Sequence, residues 1–232
     1  KKLQVKNWKA IFSCLYKVFS LRNSLLYTLI VFITGAGFNF IDTILPIFTV
    51  QALGWTAGSY SQFYSTATLI GGISGMLIGG LLIDKFGKLR MLNIYFGAVI
   101  ILICWLAFQK MFWHVTGFIM AFMIGFQVLY VFSLIGIFAI GMQCCWKKVS
   151  ATQFTLYMTV ANIGRVVGAK LVGPVKESFD WEYTLLAFGG IMAIAWFIIQ
   201  FIRINQHVKR VTDFELSETM DQYQMNRLSV AN

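Results

Sequence analysis

Gly80-Leu81-Leu82-Ile83-Asp84-Lys85-Phe86-Gly87-Lys88-Leu89-Arg90 is a short charged loop between two apolar stretches, each long enough to cross a lipid bilayer. It marks a protein that passes through the membrane several times. The composition agrees: 58% of the 232 residues are hydrophobic, 12% are charged, 22 are Phe, and the mean hydropathy is +0.73, far from a soluble domain. Backbone groups in hydrocarbon must be satisfied within the protein, so apolar runs of about 20 residues have to be helices. A β-barrel would alternate polar and apolar positions, which this sequence does not do. The expected fold class is an all-α membrane protein.

Six transmembrane helices are expected, at 24–50, 60–83, 91–108, 113–142, 151–175 and 183–202. Together they make a six-helix bundle over 24–203. Before it, 1–23 places Trp8, Ile11, Phe12, Leu15 and Phe19 on one helical face and Lys2, Lys6, Lys9, Ser13 and Lys17 on the other, the pattern of a basic helix lying on a membrane surface. After it, 204–232 is polar, of mixed charge, and expected to be a soluble or loosely ordered tail. The chain starts at Lys1 without Met and reads as a piece of something longer.

Lys and Arg set the orientation, because cytoplasmic flanks hold the excess. Lys6, Lys9, Lys17, Arg22, Lys85, Lys88, Arg90, Lys147, Lys148, Arg203, Lys209 and Arg210 fall on one side, against Lys110 and Lys176 on the other. Both termini of the segment are therefore expected in the cytoplasm. The net charge of +10 becomes a topology signal and a preference for anionic lipid, which leaves no basis for nucleic-acid binding. Cys14 and Cys104 sit in apolar helical contexts, and Cys144 and Cys145 adjoin a reducing side, so neither disulfides nor a metal are expected. No cofactor is implied. Without His-Glu metal spacing or a Ser/His/Asp set, and with His114 at an interface and His207 in the tail, an enzyme is not expected either.

Within the quoted loop, Gly80 allows close helix approach, Gly87 permits the chain reversal, and Lys85, Lys88 and Arg90 hold the loop on the basic side. Asp84 can accept from a nearby helix N-terminus. Ser150-Ala151-Thr152-Gln153 offers one, reading as a capping box with Ser150 at the cap and Gln153 three residues on. Upstream, Gly71, Gly75 and Gly79 form a small-residue ridge with Gly72 and Gly80 beside it, expected to pack closely against another helix.

Charge in hydrocarbon costs at least about 2.5 kcal/mol per group, so Asp42, Arg165 and Lys170 are the informative residues of the spans. Counted from the basic ends of two helices rising the same way, their depths agree within about 6 Å at 1.5 Å per residue. Asp42 with one of the two cations would form an ion pair, either fixing helix packing or serving a substrate or proton pathway. Gly35, Asn39, Asp42, Thr43 and Pro46 share one face, and Gln127, Tyr130 and Ser133 recur on another span, so each stripe is expected to line a water-filled cavity or bond another helix. Pro46 is expected to kink or end its helix, and Phe and Trp elsewhere to face lipid or anchor at interfaces.

The loop resembles the G-x-x-x-D-[RK]-x-G-R-[RK] loop between the second and third helices of a major facilitator superfamily half, with Lys88 where Arg is usual and Leu89 in place of a base. Ser150-Ala151-Thr152-Gln153-Phe154, Asn162-Ile163-Gly164-Arg165, Gly173-Pro174, Trp181, Gly54-Trp55 to Gly58 and Asp42 are similar to the AmpG-type anhydromuropeptide permeases, across all six spans. The resemblance implies the C-terminal half of a twelve-helix transporter in a bacterial inner membrane, importing muropeptides with protons by alternating access. It also implies a missing N-terminal six-helix half as partner, with 1–23 as the linker between halves. Related carriers take siderophores or acetyl-coenzyme A, and a non-transporting six-helix module is the reading of another class.

Overall fold

The computed structural model describes residues 8–214 and 216. Among them every regular element is helical: α1 (Trp8–Phe19), α2 (Arg22–Gln51), α3 (Ala57–Ser74), a π-helical turn (Gly75–Gly79), α4 (Gly80–Phe86), α5 (Lys88–Phe108), a 3₁₀ turn (Lys110–Phe112), α6 (Thr116–Cys144), α7 (Ser150–Ser178) and α8 (Trp181–Ile199). A further helical stretch covers 204–214. Among the described residues five helices are long and apolar enough to cross a membrane: Arg22–Gln51, Ala57–Phe86, Lys88–Phe108, Thr116–Cys144 and Trp181–Ile199. The expected fifth span, 151–175, does form a helix within α7. Arg165, Lys170, Lys176 and Glu177 make it more polar than the other five.

The long helices pack in the order α7–α2–α8–α5–α6–α3, with α2 also touching α6 and α3. Small residues set the closest seam. A Cβ on Gly164 would lie 2.1 Å from the Phe32 carbonyl oxygen, one on Gly168 2.0 Å from that of Ala36, and one on Gly35 2.3 Å from that of Ala161, so α2 and α7 meet backbone to backbone. The expected glycine ridge is seated against α6: Gly71 faces the Gln127 backbone, Gly75 faces Val131 and Gly79 faces Ile135. Gly80 and Gly72 have nothing within 4 Å, so Gly80 does not make the close approach expected of it.

Not all aromatic residues face lipid or an interface as expected. Phe40, Phe48, Phe96, Phe122, Phe126 and Phe188 are fully buried, and Phe38 joins Phe126 and Phe188 at centroid distances of 6.0–6.4 Å. Lipid is as apolar as a core, so what draws these rings inward is ring-to-ring packing rather than hydrophobicity. Pro46 does not end α2, which runs on to Gln51; the missing N–H is absorbed within the helix.

The ends of the bundle depart further from the sequence reading. The α6–α7 connection is held by Gln153, fully buried, whose Oε1 accepts from the Trp146 N–H (2.9 Å) and whose Nε2 donates to the Cys144 carbonyl (3.0 Å) and the Tyr157 hydroxyl (2.8 Å). The capping box is therefore not formed; Val149 occupies the cap position, and Ser150 is the first helical residue. The tail is not loosely ordered over 204–214. It docks on the bundle, with His207 buried and its Nε2 2.9 Å from the Cys144 carbonyl oxygen. Cys14, Leu15 and Val18 of α1 pack with Trp146 and Val149 of the connection and with Val211 and Phe214 of the tail. Phe12 stays exposed, off the face predicted for it, and the residues 1–7 and the side chains of Trp8, Lys9 and Ile11 lie outside the described residues.

Candidate functional site

Asp42 on α2 and Tyr64 on α3 meet: the Tyr64 hydroxyl donates to Asp42 Oδ1 at 3.1 Å. Tyr60, one turn earlier, stacks on Tyr64 with centroids 5.4 Å apart. Across the bundle, Arg165 Nη2 on α7 donates to the Tyr130 hydroxyl on α6 at 3.4 Å. Phe38 and Phe126 enclose the Tyr130 ring at 4.7 and 6.2 Å. Tyr130 lies within electrostatic reach of both Asp42 and Arg165. Two opposite charges are thus held apart, each by a tyrosine hydroxyl.

Among the described residues no ion pair joins Asp42 to Arg165 or to Lys170. By the Gly35–Ala161 and Gly168–Ala36 contacts Asp42 stands three to nine residues beyond the level of Arg165, and each charge is bonded to a tyrosine instead of to the other. Lys170 is exposed on α7 and is not part of the cluster. Asn39 does reach across, its Nδ2 donating to the Arg165 carbonyl at 2.9 Å. Its stripe is a helix contact at Gly35 and Asn39, and Gly35 also borders the groove between α2, α6 and α7.

Gln127 is buried beside the Tyr64 hydroxyl, with its Nε2 lacking a hydrogen-bond partner. Ser133 is fully buried and its hydroxyl is also unpartnered, so the interhelical bond expected of it is not made. A groove of about 220 Å³ opens between α2, α6 and α7, lined by Thr34, Phe38, Leu134, Met158, Asn162 and Arg165 among others. It has one fixed positive charge, the polar side chains of Thr34 and Asn162, and otherwise apolar walls.

The loop behaves partly as read. Gly87 has φ +92°, a conformation that favours glycine, and makes the reversal between α4 and α5. Asp84 does not reach the α7 N-terminus; it is exposed and lines a groove with Arg90, Gln143 and Asn205. Lys85 is exposed in the last turn of α4, near the Phe86 ring. At the opposite end, Lys110 pairs with Glu182 at 2.5 Å and Lys176 lies 4.3 Å over the Trp181 ring. No group of three His, Cys, Asp or Glu suited to a metal occurs among the described residues. His207 is a buried docking residue rather than an interfacial one.

A bundle of membrane-length helices, a charged reversal loop and charges placed within the spans define a polytopic transport protein. The Major Facilitator Superfamily profile matches residues 1–169, and the chain belongs to that family, whose members are transporters and not enzymes. Anhydromuropeptide permeases of Escherichia coli strain K12 and of Escherichia coli O157:H7 are each 27% identical to it over 218 residues, covering 91% of this chain and 43% of theirs. The chain spans less than half the length of these curated relatives.

Proposed function

We propose that this chain is the C-terminal six-helix half, over 24–203, of a twelve-helix secondary transporter that imports muropeptides with protons by alternating access. The observation that carries it is the separated Asp42–Tyr64 and Arg165–Tyr130 pairs within the spans, taken with the likeness to the two permeases. In this reading α7 is the fifth span and completes the six, its polar face covered by an N-terminal half; 1–23 links the halves, and both ends lie in the cytoplasm of a bacterial inner membrane. Asp42 is the proton-responsive group. Ionised, it accepts a charge-assisted bond from Tyr64; protonated, it holds the tyrosine less tightly, and the change of charge is felt at the Tyr130 hydroxyl, which holds Arg165. Arg165, at the mouth of the apolar groove, anchors a carboxylate or phosphate of the solute. This replaces a direct Asp42–Arg165 ion pair as the coupling element.

Uptake of a labelled anhydromuropeptide into proteoliposomes under an imposed proton gradient tests it. Asp42→Asn is expected to abolish gradient-driven accumulation while solute exchange at equilibrium persists. Gradient-driven uptake unchanged in Asp42→Asn would refute the assignment, and failure of the wild type to take up muropeptide while accumulating a ferri-siderophore or acetyl-coenzyme A would reassign the solute.

A further inference from the structure

At the basic end of the bundle, Arg22 of α2, Arg203 and Arg210 surround a pocket of about 70 Å³, with Asn23, Gln206 and His207 among its other walls. Among the described residues no acidic residue lines it, and none of the three arginines has a carboxylate partner. Three guanidiniums around one small space repel one another, so the arrangement calls for a counter-charge. The pocket is rigidly framed. Asn23 Nδ2 donates to the Arg203 carbonyl (2.9 Å) and its Oδ1 accepts from the Arg203 N–H (3.2 Å), which fixes Arg203 beside Arg22. His207 is 1% exposed; its Nε2 meets the Cys144 carbonyl, which makes that nitrogen the donor, and its Nδ1 has no partner.

We propose that this pocket binds a phosphate group, taking its oxygens on the forked donors of Arg22, Arg203 and Arg210 beside His207. Guanidinium matches the geometry of phosphate oxygens, and the volume admits one such group with the rest of a ligand projecting outward. The shared chemistry fits either the headgroup of an acidic phospholipid or a soluble phosphate. Either would tie the docked tail to the first turn of α2.

The intact protein, purified in phosphate-free detergent, is titrated with inorganic phosphate against chloride at matched ionic strength. In parallel it is placed in nanodiscs of phosphatidylcholine alone or of three parts phosphatidylcholine to one of phosphatidylglycerol. Melting temperature and the His207 side-chain resonance are read, with His114 at the opposite end as reference. The expected response is a rise of about 3 °C with movement of the His207 resonance, lost in Arg203→Gln/Arg210→Gln and kept in Lys209→Gln, whose exposed cation is outside the pocket. A response to phosphate in detergent assigns a soluble anion; one confined to phosphatidylglycerol assigns the lipid. No response in either arm, or an equal response in the double variant, overturns the proposal. Should that variant not fold, the wild-type His207 resonance decides: movement specific to phosphate or to phosphatidylglycerol supports the site, and equal movement with chloride and in both discs overturns it.

Discussion

Asp42 and Arg165 do their work through tyrosines, and that changes which substitutions are informative. Removing the Tyr130 hydroxyl frees Arg165 from its partner without touching its charge, so Tyr130→Phe should alter solute affinity and lower gradient-driven uptake while equilibrium exchange persists. Arg165→Lys keeps the charge and loses the fork, and is expected to lower kcat/KM for an anionic solute at least about tenfold, measured in proteoliposomes. His207 gives a pH prediction. Burial holds its imidazole below the ordinary value of 6.5; the bond to the Cys144 carbonyl opposes this, and Arg210 adds to it. The undocked tail therefore binds a proton at higher pH than the docked one. Docking is fully stable above about pH 6.5 and weakens as pH falls from there through the lower docked value. Hydrogen-exchange protection at 204–214, taken relative to the intrinsic rate at each pH, should fall between about pH 7.5 and 5.5, and His207→Gln should remove that dependence. Of these residues, the sequence made Asp42, Asn39, Tyr130, Gln127 and Arg165 legible because polar groups in apolar spans stand out. Tyr60 and Tyr64 were not, since tyrosine near a span end reads as an interfacial anchor. Their spacing of four beside Gln62 was the available signal.

Helix pairs show what apolar composition encodes and what it leaves out. Hydropathy located the five membrane-length helices and α7 but stopped short of several ends, because Arg22, Lys88 and Lys176 are polar yet still helical, at the ends where side chains reach water. Partner choice came from glycine spacing. The ridge at Gly71, Gly75 and Gly79 was readable; the pair Gly164 and Gly168, at the same spacing, forms the tighter seam and was passed over beside the charge of Arg165. Gly168→Ala should cost about 1–3 kcal/mol, because its Cβ would meet a backbone oxygen that cannot turn aside. Gly173→Ala, with nothing within 4 Å, should be neutral or stabilising by up to about 1 kcal/mol. Thermal melts of the two variants in one detergent make the comparison. The capping box failed because Gln153 serves the α6–α7 connection, a tertiary demand invisible in a four-residue pattern. Along α3, an uninterrupted α-helix would carry Gly79 about 80° round from Gly71, and the wider π turn between them brings it back towards α6.

At the scale of the molecule, α3 and α7 are the two ends of the packing order and bury the least. Leu69, Met76, Leu77, Ile163 and Val166 are all more than half exposed, and Gly72, Gly80 and Gly173 have open space above them. Those faces are where a second half would sit. Leu77→Cys and Ile163→Cys should crosslink to helices encoded upstream in the same gene; a disulfide-linked dimer of this 26.3 kDa chain would instead identify a homodimeric module. Overall membrane character was legible from composition, whereas the docking of α1 and 204–214 on the α6–α7 connection was not, because it rests on a handful of side chains, Leu15, Trp146, His207 and Phe214, scattered along the sequence. The Asn23–Arg203 clamp has one more consequence. It places the entry and exit of the bundle side by side, so a short linker joining them, with new termini opened in the 109–115 turn, should yield a circular permutant with the same helix neighbours.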